Sequence, residues 1–152
     1  YFCNGTISRI VMDDGKAIMM SLAMLNALHA AFDQAEKDKT VVILKARGKH
    51  FSGGFDLSVF ARGSAQGQVL MVKAGAELAL RILSFPTPVV AACQGNAFPM
   101  GAFLIMSSDY RIAPKAVTGS ALTRWRSGLR CRGSQSKSPA SGWPPAFLTG
   151  PG

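Results

Sequence analysis

Two short stretches set glycine where regular structure is due to begin: "SGGFD" (residues 52–56) and "GNAFPMGAF" (residues 95–103). The first comes soon after the β-branched run "TVVILKA" (40–46), and the second follows directly on "PTPVVAACQ". Glycine in such a place loosens the backbone and lets it approach another group closely. Peptide N–H groups in the first turn of a helix have no partner within that helix, so each stretch offers unpaired donors. Two donors aimed at one point form an oxyanion hole, which stabilises negative charge developing on a carbonyl oxygen. Main-chain groups are the stronger candidates here, because Met100 and Phe103 stand where a catalyst would want polar side chains. Spacing alone leaves plain turns as the alternative, since glycine pairs after strands are common.

The titratable and nucleophilic side chains add little. His50 sits in the first loop with no carboxylate fixed beside it to orient the ring, so it reads as an exposed loop histidine. His29 lies among alanines on a helix and reads as structural. Ser52 is not in a G-x-S-x-G elbow, and no Ser-His-Asp order is evident. Cys93 ends an apolar strand and reads as packing. Cys3, Cys93 and Cys131 are odd in number and lack C-x-x-C spacing, which gives a zinc site no support and suggests a reducing compartment.

The elements that would position the two loops follow from periodicity. "GTISRIVM" (5–12) reads as a strand closed by the turn Asp13-Asp14-Gly15. From Ser21, a plausible N-cap, Leu22, Leu25, Leu28, Phe32 and Ala35 recur at helical spacing. Residues 40–46 form a buried strand, and 47–60 read as a glycine-bearing loop. Residues 66–83 place Val69, Val72, Ala76, Ala79 and Leu83 at helical spacing, and Pro86 and Pro88 end that helix. "VVAAC" (89–93) is a second buried strand, 101–107 a short apolar helix and "DYRIA" (109–113) a last strand. Strand, loop, helix, strand is a βαβ unit with parallel strands. The loops 47–60 and 94–100 then open on the same sheet edge, where α/β folds place ligands. Residues 55 and 100, 45 positions apart in sequence, should face each other.

Composition sets the frame. The chain has 152 residues, enough for one domain with a real core, and 48% of them are hydrophobic. No apolar run reaches the roughly 18 residues of a membrane span; the nearest, Ala97 to Met106, is interrupted by Pro99. No signal peptide opens the chain, and its start at Tyr1 reads as a fragment or a trimmed chain. The net charge of +9 is unevenly spread. Up to Asp109 ten basic residues stand against eight acidic ones; beyond it come seven Arg or Lys and no carboxylate. The chain divides accordingly into a core, 1–113, and a basic Ser/Gly/Pro/Arg-rich tail, 114–152, expected to be irregular or disordered.

"VVILKARGKHFSGGFDLSVF" followed by "FPTPVVAACQGNAFPMGAFLIMSSDYRIA" resembles the crotonase, or enoyl-CoA hydratase/isomerase, superfamily. The resemblance runs from about Gly5 to Ala113, with both motifs in the family's order. It implies an α/β fold of repeated ββα turns in a superhelix, here incomplete at its C-terminal end. It implies binding of an acyl-CoA thioester, with coenzyme A as part of the substrate and no separate cofactor. It places the two oxyanion-hole amides at Phe55, where the family often has alanine, and at Met100, where a glycine is usual. Lys16, Ala17, Asp56, Leu57 and Gly101 are implied in substrate binding, and Asp109 in hydrogen bonding at a strand start. A homo-oligomer, trimeric in the family, and a cytoplasmic location are further implications.

The acid/base groups depart from the family. Hydration of an enoyl thioester needs carboxylates to activate water and deliver a proton. One family glutamate aligns with Phe103, and no Asp or Glu follows Asp109 to replace the other. The expectation is therefore acyl-CoA binding with weak or absent turnover. The tail has the look of an altered reading frame. It also carries the alternative, a non-catalytic interaction protein: Arg124, Trp125, Arg126, Arg130 and Arg132 could meet nucleic acid or an anionic surface, although no RNP-type motif is present.

Overall fold

The computed structural model describes residues 1–113; the basic tail 114–152, with its expected irregularity and its arginines, lies outside the described residues. Strand β1 (Phe2–Asn4) pairs antiparallel with β2 (Ile7–Met12), on which Ser8, Ile10 and Met12 are buried in alternation. The turn after β2 is made by Gly15 at φ 73°, whose N–H donates to the Asp13 carboxylate at 3.0 Å. A two-residue strand β3 (Met19–Met20) leads into α1 (Leu22–Asp38). Ser21 caps α1 as expected, its Oγ accepting the Met24 N–H at 3.2 Å. Of the predicted apolar stripe Leu25, Leu28, Phe32 and Ala35 are buried, while Leu22 is exposed.

The pattern of a long strand, a short strand and a helix then repeats. Strand β4 (Val41–Ala46) is followed by β5 (Gly54–Phe55), α2 (Leu57–Arg62) and α3 (Ala65–Leu83). Strand β6 (Val89–Ala92) is followed by α4 (Pro99–Ser107) and the last strand β7 (Tyr110–Ile112). The long strands form a five-stranded sheet in the order β1-β2-β4-β6-β7, parallel from β2 onward, with Val42 opposite Val89 and Val90 opposite Tyr110. The short strands β3 and β5 pair in a second sheet, also parallel, and a single bridge from Ser52 to Ala97 extends that arrangement toward the third repeat. This is the repeated ββα architecture, and the predicted βαβ unit is present within it. Phe32 and Phe85 meet edge to face at 5.1 Å in the core between sheet and helices, each fully buried. Such side chains contribute about 1.5–3 kcal/mol apiece.

Two expectations need correction. Residues 47–60 are not loop throughout, because Asp56 caps a helix that begins at Leu57. Helix α3 forms, but it buries Met71, Gly75, Leu78 and Ile82, leaving Val69, Val72 and Leu83 of the predicted stripe exposed. The helix has apolar residues on two faces, and packing against α1 and α4 decided which face turned inward. Asp109 behaves as expected: its carboxylate accepts the Val89 N–H at 2.9 Å, and its N–H donates to the Val89 carbonyl at 2.9 Å.

Candidate functional site

The loops after β4 and β6 open on one sheet edge and are laced together. Gln94 Nε2 donates to the carbonyls of Ala46 at 2.6 Å, Gly48 at 3.3 Å and His50 at 3.4 Å. The N–H groups of Phe51 and Ser52 both donate to the Asn96 carbonyl, at 2.8 and 3.2 Å. The Phe98 N–H returns a bond to the Ser52 carbonyl at 3.0 Å. Contact is close enough to require glycine at Gly101, where a β-carbon would lie 2.5 Å from the Ser52 β-carbon. The expected meeting of residues 47–60 with 94–100 is thus present.

A third segment joins them from before α1. Ser52 is fully buried; its Oγ donates to the Ile18 carbonyl at 3.1 Å and accepts the Gly54 N–H at 3.1 Å. The Gly53 N–H donates to the Ala17 carbonyl at 2.9 Å. The Asp14 carboxylate holds this segment from the other side, accepting the N–H groups of Lys16, Ile18 and Met19 at 2.8, 2.9 and 2.7 Å. Partial burial alone would raise the Asp14 pKa, but donation by Met19, Lys16 and Ile18 outweighs it and holds the carboxyl below its ordinary range.

The Phe55 amide belongs to the short strand β5. The Asp56 N–H donates to the Met20 carbonyl at 3.3 Å, toward β3. Successive amides of a strand point to opposite edges, so the Phe55 N–H points away from β3. The Met100 amide is the second of α4 and lies in the first turn, where no helical acceptor exists. The carbonyl four residues back, that of Asn96, is already occupied by Phe51 and Ser52. Met100 is helical and not among the residues with positive φ, so a β-carbon is accommodated where the family's glycine usually stands. The Phe55 ring and the Met100 sulfur both lie over Gly75 of α3.

The other predicted residues surround this pair unequally. Lys16 and Ala17 are exposed, and Ala17 reaches the site through its carbonyl. Asp56 is the N-cap of α2, accepting the Ser58 hydroxyl at 2.7 Å and the Ser58 N–H at 2.9 Å. These two bonds, the hydroxyl's first, lower its pKa. Leu57 is exposed, and Gly101 is buried against Ser52. Phe103 is exposed on α4, a helix with no acidic residue. Cys93 is buried with its thiol on the Gly95 carbonyl at 3.0 Å, and burial pushes its pKa up. Among the described residues no group of His, Cys, Asp or Glu is placed to hold a metal ion, and no helix is long and apolar enough to cross a membrane.

Sequence reasoning missed three braces: Ser52, Gln94 and Asp14. The signal for Asp14 was an Asp ahead of a glycine turn, which readily collects nearby amides. Gln94 and Ser52 gave none, because their partners come from other segments.

Comparison with known proteins gives this arrangement its place. Residues 3–129 match the family model described as Enoyl-CoA hydratase/isomerase. The chain is 45% identical to the "probable enoyl-CoA hydratase" EchA3 of Mycobacterium tuberculosis, whose crystal structure superposes with a TM-score of 0.71 over 73% of this chain and 48% of that one. It is 32% identical over 111 residues to the "Probable enoyl-CoA hydratase" of Bacillus subtilis, covering 70% of this chain and 43% of that protein. It is 33% identical over 91 residues to the peroxisomal enoyl-CoA delta isomerase 1 of Arabidopsis thaliana, covering 57% of this chain and 38% of that protein. The chain therefore spans less than half the length of these relatives. It belongs to the enoyl-CoA hydratase/isomerase family and has the crotonase fold.

Proposed function

We propose that the chain binds an acyl-CoA thioester, with the amides of Phe55 and Met100 donating to the thioester oxygen. The observation that supports this reading most directly is the seating of the loop before Phe55 on the loop before Met100, through Ser52, Asn96 and Phe98. Neither amide has a hydrogen-bond acceptor in its own strand pairing or helix turn. Two donors on one oxygen favour an enolate over the neutral thioester, because hydrogen bonds strengthen as charge develops. Lys16, Ala17, Asp56, Leu57 and Gly101 form the surroundings through which the coenzyme A portion would pass. Coenzyme A enters as part of the substrate.

Turnover is a separate matter. The parent chemistry, hydration or double-bond shift of an enoyl thioester, needs a side chain that moves a proton at the α- or β-carbon. Among the described residues Asp56 is committed to Ser58, Asp14 to three amides, and Glu77 is exposed beside Lys73. The proposed chain binds and polarises its ligand but transfers protons poorly. Calorimetric titration of the full chain with butyryl-CoA tests this: saturable heat is expected. No heat with any acyl-CoA, alongside tight RNA binding, would reverse the reading in favour of an interaction protein.

A further inference from the structure

A single glycine on α3 stands under both proposed donors. Gly75 is buried, and a β-carbon built on it would lie 2.8 and 2.9 Å from the Phe55 ring atoms Cζ and Cε1 and 3.0 Å from the Met100 Sδ. Real β-carbons essentially never show the two ring separations without a neighbour moving, and the sulfur separation is tighter than most. The two side chains come from segments 45 residues apart, yet they rest on the same backbone position of a third element. We infer that Gly75 is a positioning residue: its missing side chain sets how closely Phe55 and Met100 approach, and so the spacing of their amides.

A β-carbon at Gly75 would displace both side chains, and the two can yield by different amounts. The Phe55 ring also meets the Phe60 ring, 6.3 Å away at an edge-to-face angle of 69°. Phenylalanine has only two side-chain torsions, so a push on its ring is passed in part to its own Cα. Met100 is buried and close-packed, with a flexible end that absorbs part of a displacement. The first amide should therefore shift more than the second. Two donors serve one oxygen only when both lie within hydrogen-bond reach of it, so a displacement of a few tenths of an ångström at Phe55 weakens the pair.

The inference rests on the proposed thioester site, and the test separates the two. The probes are butyryl-CoA and its thioether analogue S-butyl-CoA, which keeps every group except the carbonyl oxygen. The ratio of their affinities for the full chain reads the oxygen contact alone. For the unaltered chain the thioester should bind about tenfold more tightly, as expected for two modest hydrogen bonds. A ratio of one there would overturn the thioester site itself. Gly75→Ala should bring the ratio close to one while leaving S-butyl-CoA affinity within about twofold. A Gly75→Ala chain that keeps the full ratio would overturn the role of Gly75 and leave the site standing. Combining Gly75→Ala with Phe55→Leu removes the contacted ring end while keeping both amides, and should restore the ratio. If Gly75→Ala alone fails to fold, the combined variant still decides, since it must both fold and discriminate. A combined variant that folds without recovering the ratio would overturn the inference.

Discussion

Residues 52–56 carry the Phe55 amide in a strand, and residues 96–100 carry the Met100 amide in the opening turn of a helix. In β5 the freedom of the Phe55 N–H comes from alternation, because its neighbour Asp56 spends its N–H on β3. At α4 the freedom of the Met100 N–H comes from position in the first turn, under a proline that itself brings no donor. The difference sets what each loop tolerates. The strand loop needs Gly54 at φ 88°, beside Phe98. The helix loop accepts Met100 in ordinary helical geometry. A free amide can thus be produced twice in one fold by unrelated means, with unrelated demands on sequence.

The two loops can be forced apart where they touch. Gly95→Ala should have the largest effect, because its β-carbon would meet the Lys49 carbonyl oxygen at 1.8 Å. Neither atom is the end of a flexible side chain, so the loops must separate. Loss of the cooperative unfolding transition, or a destabilisation of about 3 kcal/mol or more by denaturant titration, is expected. An unchanged midpoint would mean that the loops are not held in register at this point. Ser52→Ala acts on the strand loop alone. It leaves the Gly54 N–H without its buried partner and takes one of two donors from the Ile18 carbonyl, which keeps the Gly53 N–H at 3.0 Å, a loss of about 1–3 kcal/mol. Because both bonds lie on the β3 and β5 side, thioester preference should fall through the Phe55 amide. The Met100 amide resonance should move little in an NMR comparison with the unaltered chain.

The smallest effect is electrostatic and again one-sided. Asp14 and Asp56 flank the strand loop, and both carboxyls titrate below the ordinary value of 3.8. A carboxyl with a depressed folded pKa adds stability at pH values above its ordinary range. That contribution is lost as pH falls from about 4 through the folded value. Acid unfolding followed by circular dichroism should therefore begin just below pH 4 and be shallower in Asp14→Asn. Curves that superpose would show that the amides of Lys16, Ile18 and Met19 do not depend on the Asp14 charge.

Periodicity made much of this fold legible. The strands at 41–46 and 89–92 could be read because β-branched runs between turn residues have few other ways to be buried. Helix α1 was readable to its N-cap, since Ser21 and a stripe of large apolar residues agree. Helix α3 was readable as a helix but not as a face. Val69, Val72 and Leu83 are as apolar as Met71, Leu78 and Ile82, and hydropathy alone could not rank the two sets. Packing of α3 against α1 and α4 distinguishes them. The braces of the site were illegible for a related reason. Gln94 reaches carbonyls up to 48 residues away, and such a bond leaves no trace in local spacing.

By itself the sequence determined the long strands β2, β4 and β6 and the helices α1, α3 and α4, that β4 and β6 run parallel, and that their loops open on one edge. Those outcomes depend on short-range patterning and on the handed geometry of connections, both written in consecutive residues. The tertiary structure decided which N–H groups remain without partners, which helix face is buried, and that Gly75 lies under two distant side chains. Those depend on contacts between segments far apart in the chain, and hydrogen bonding there is settled only when every competing acceptor has been placed.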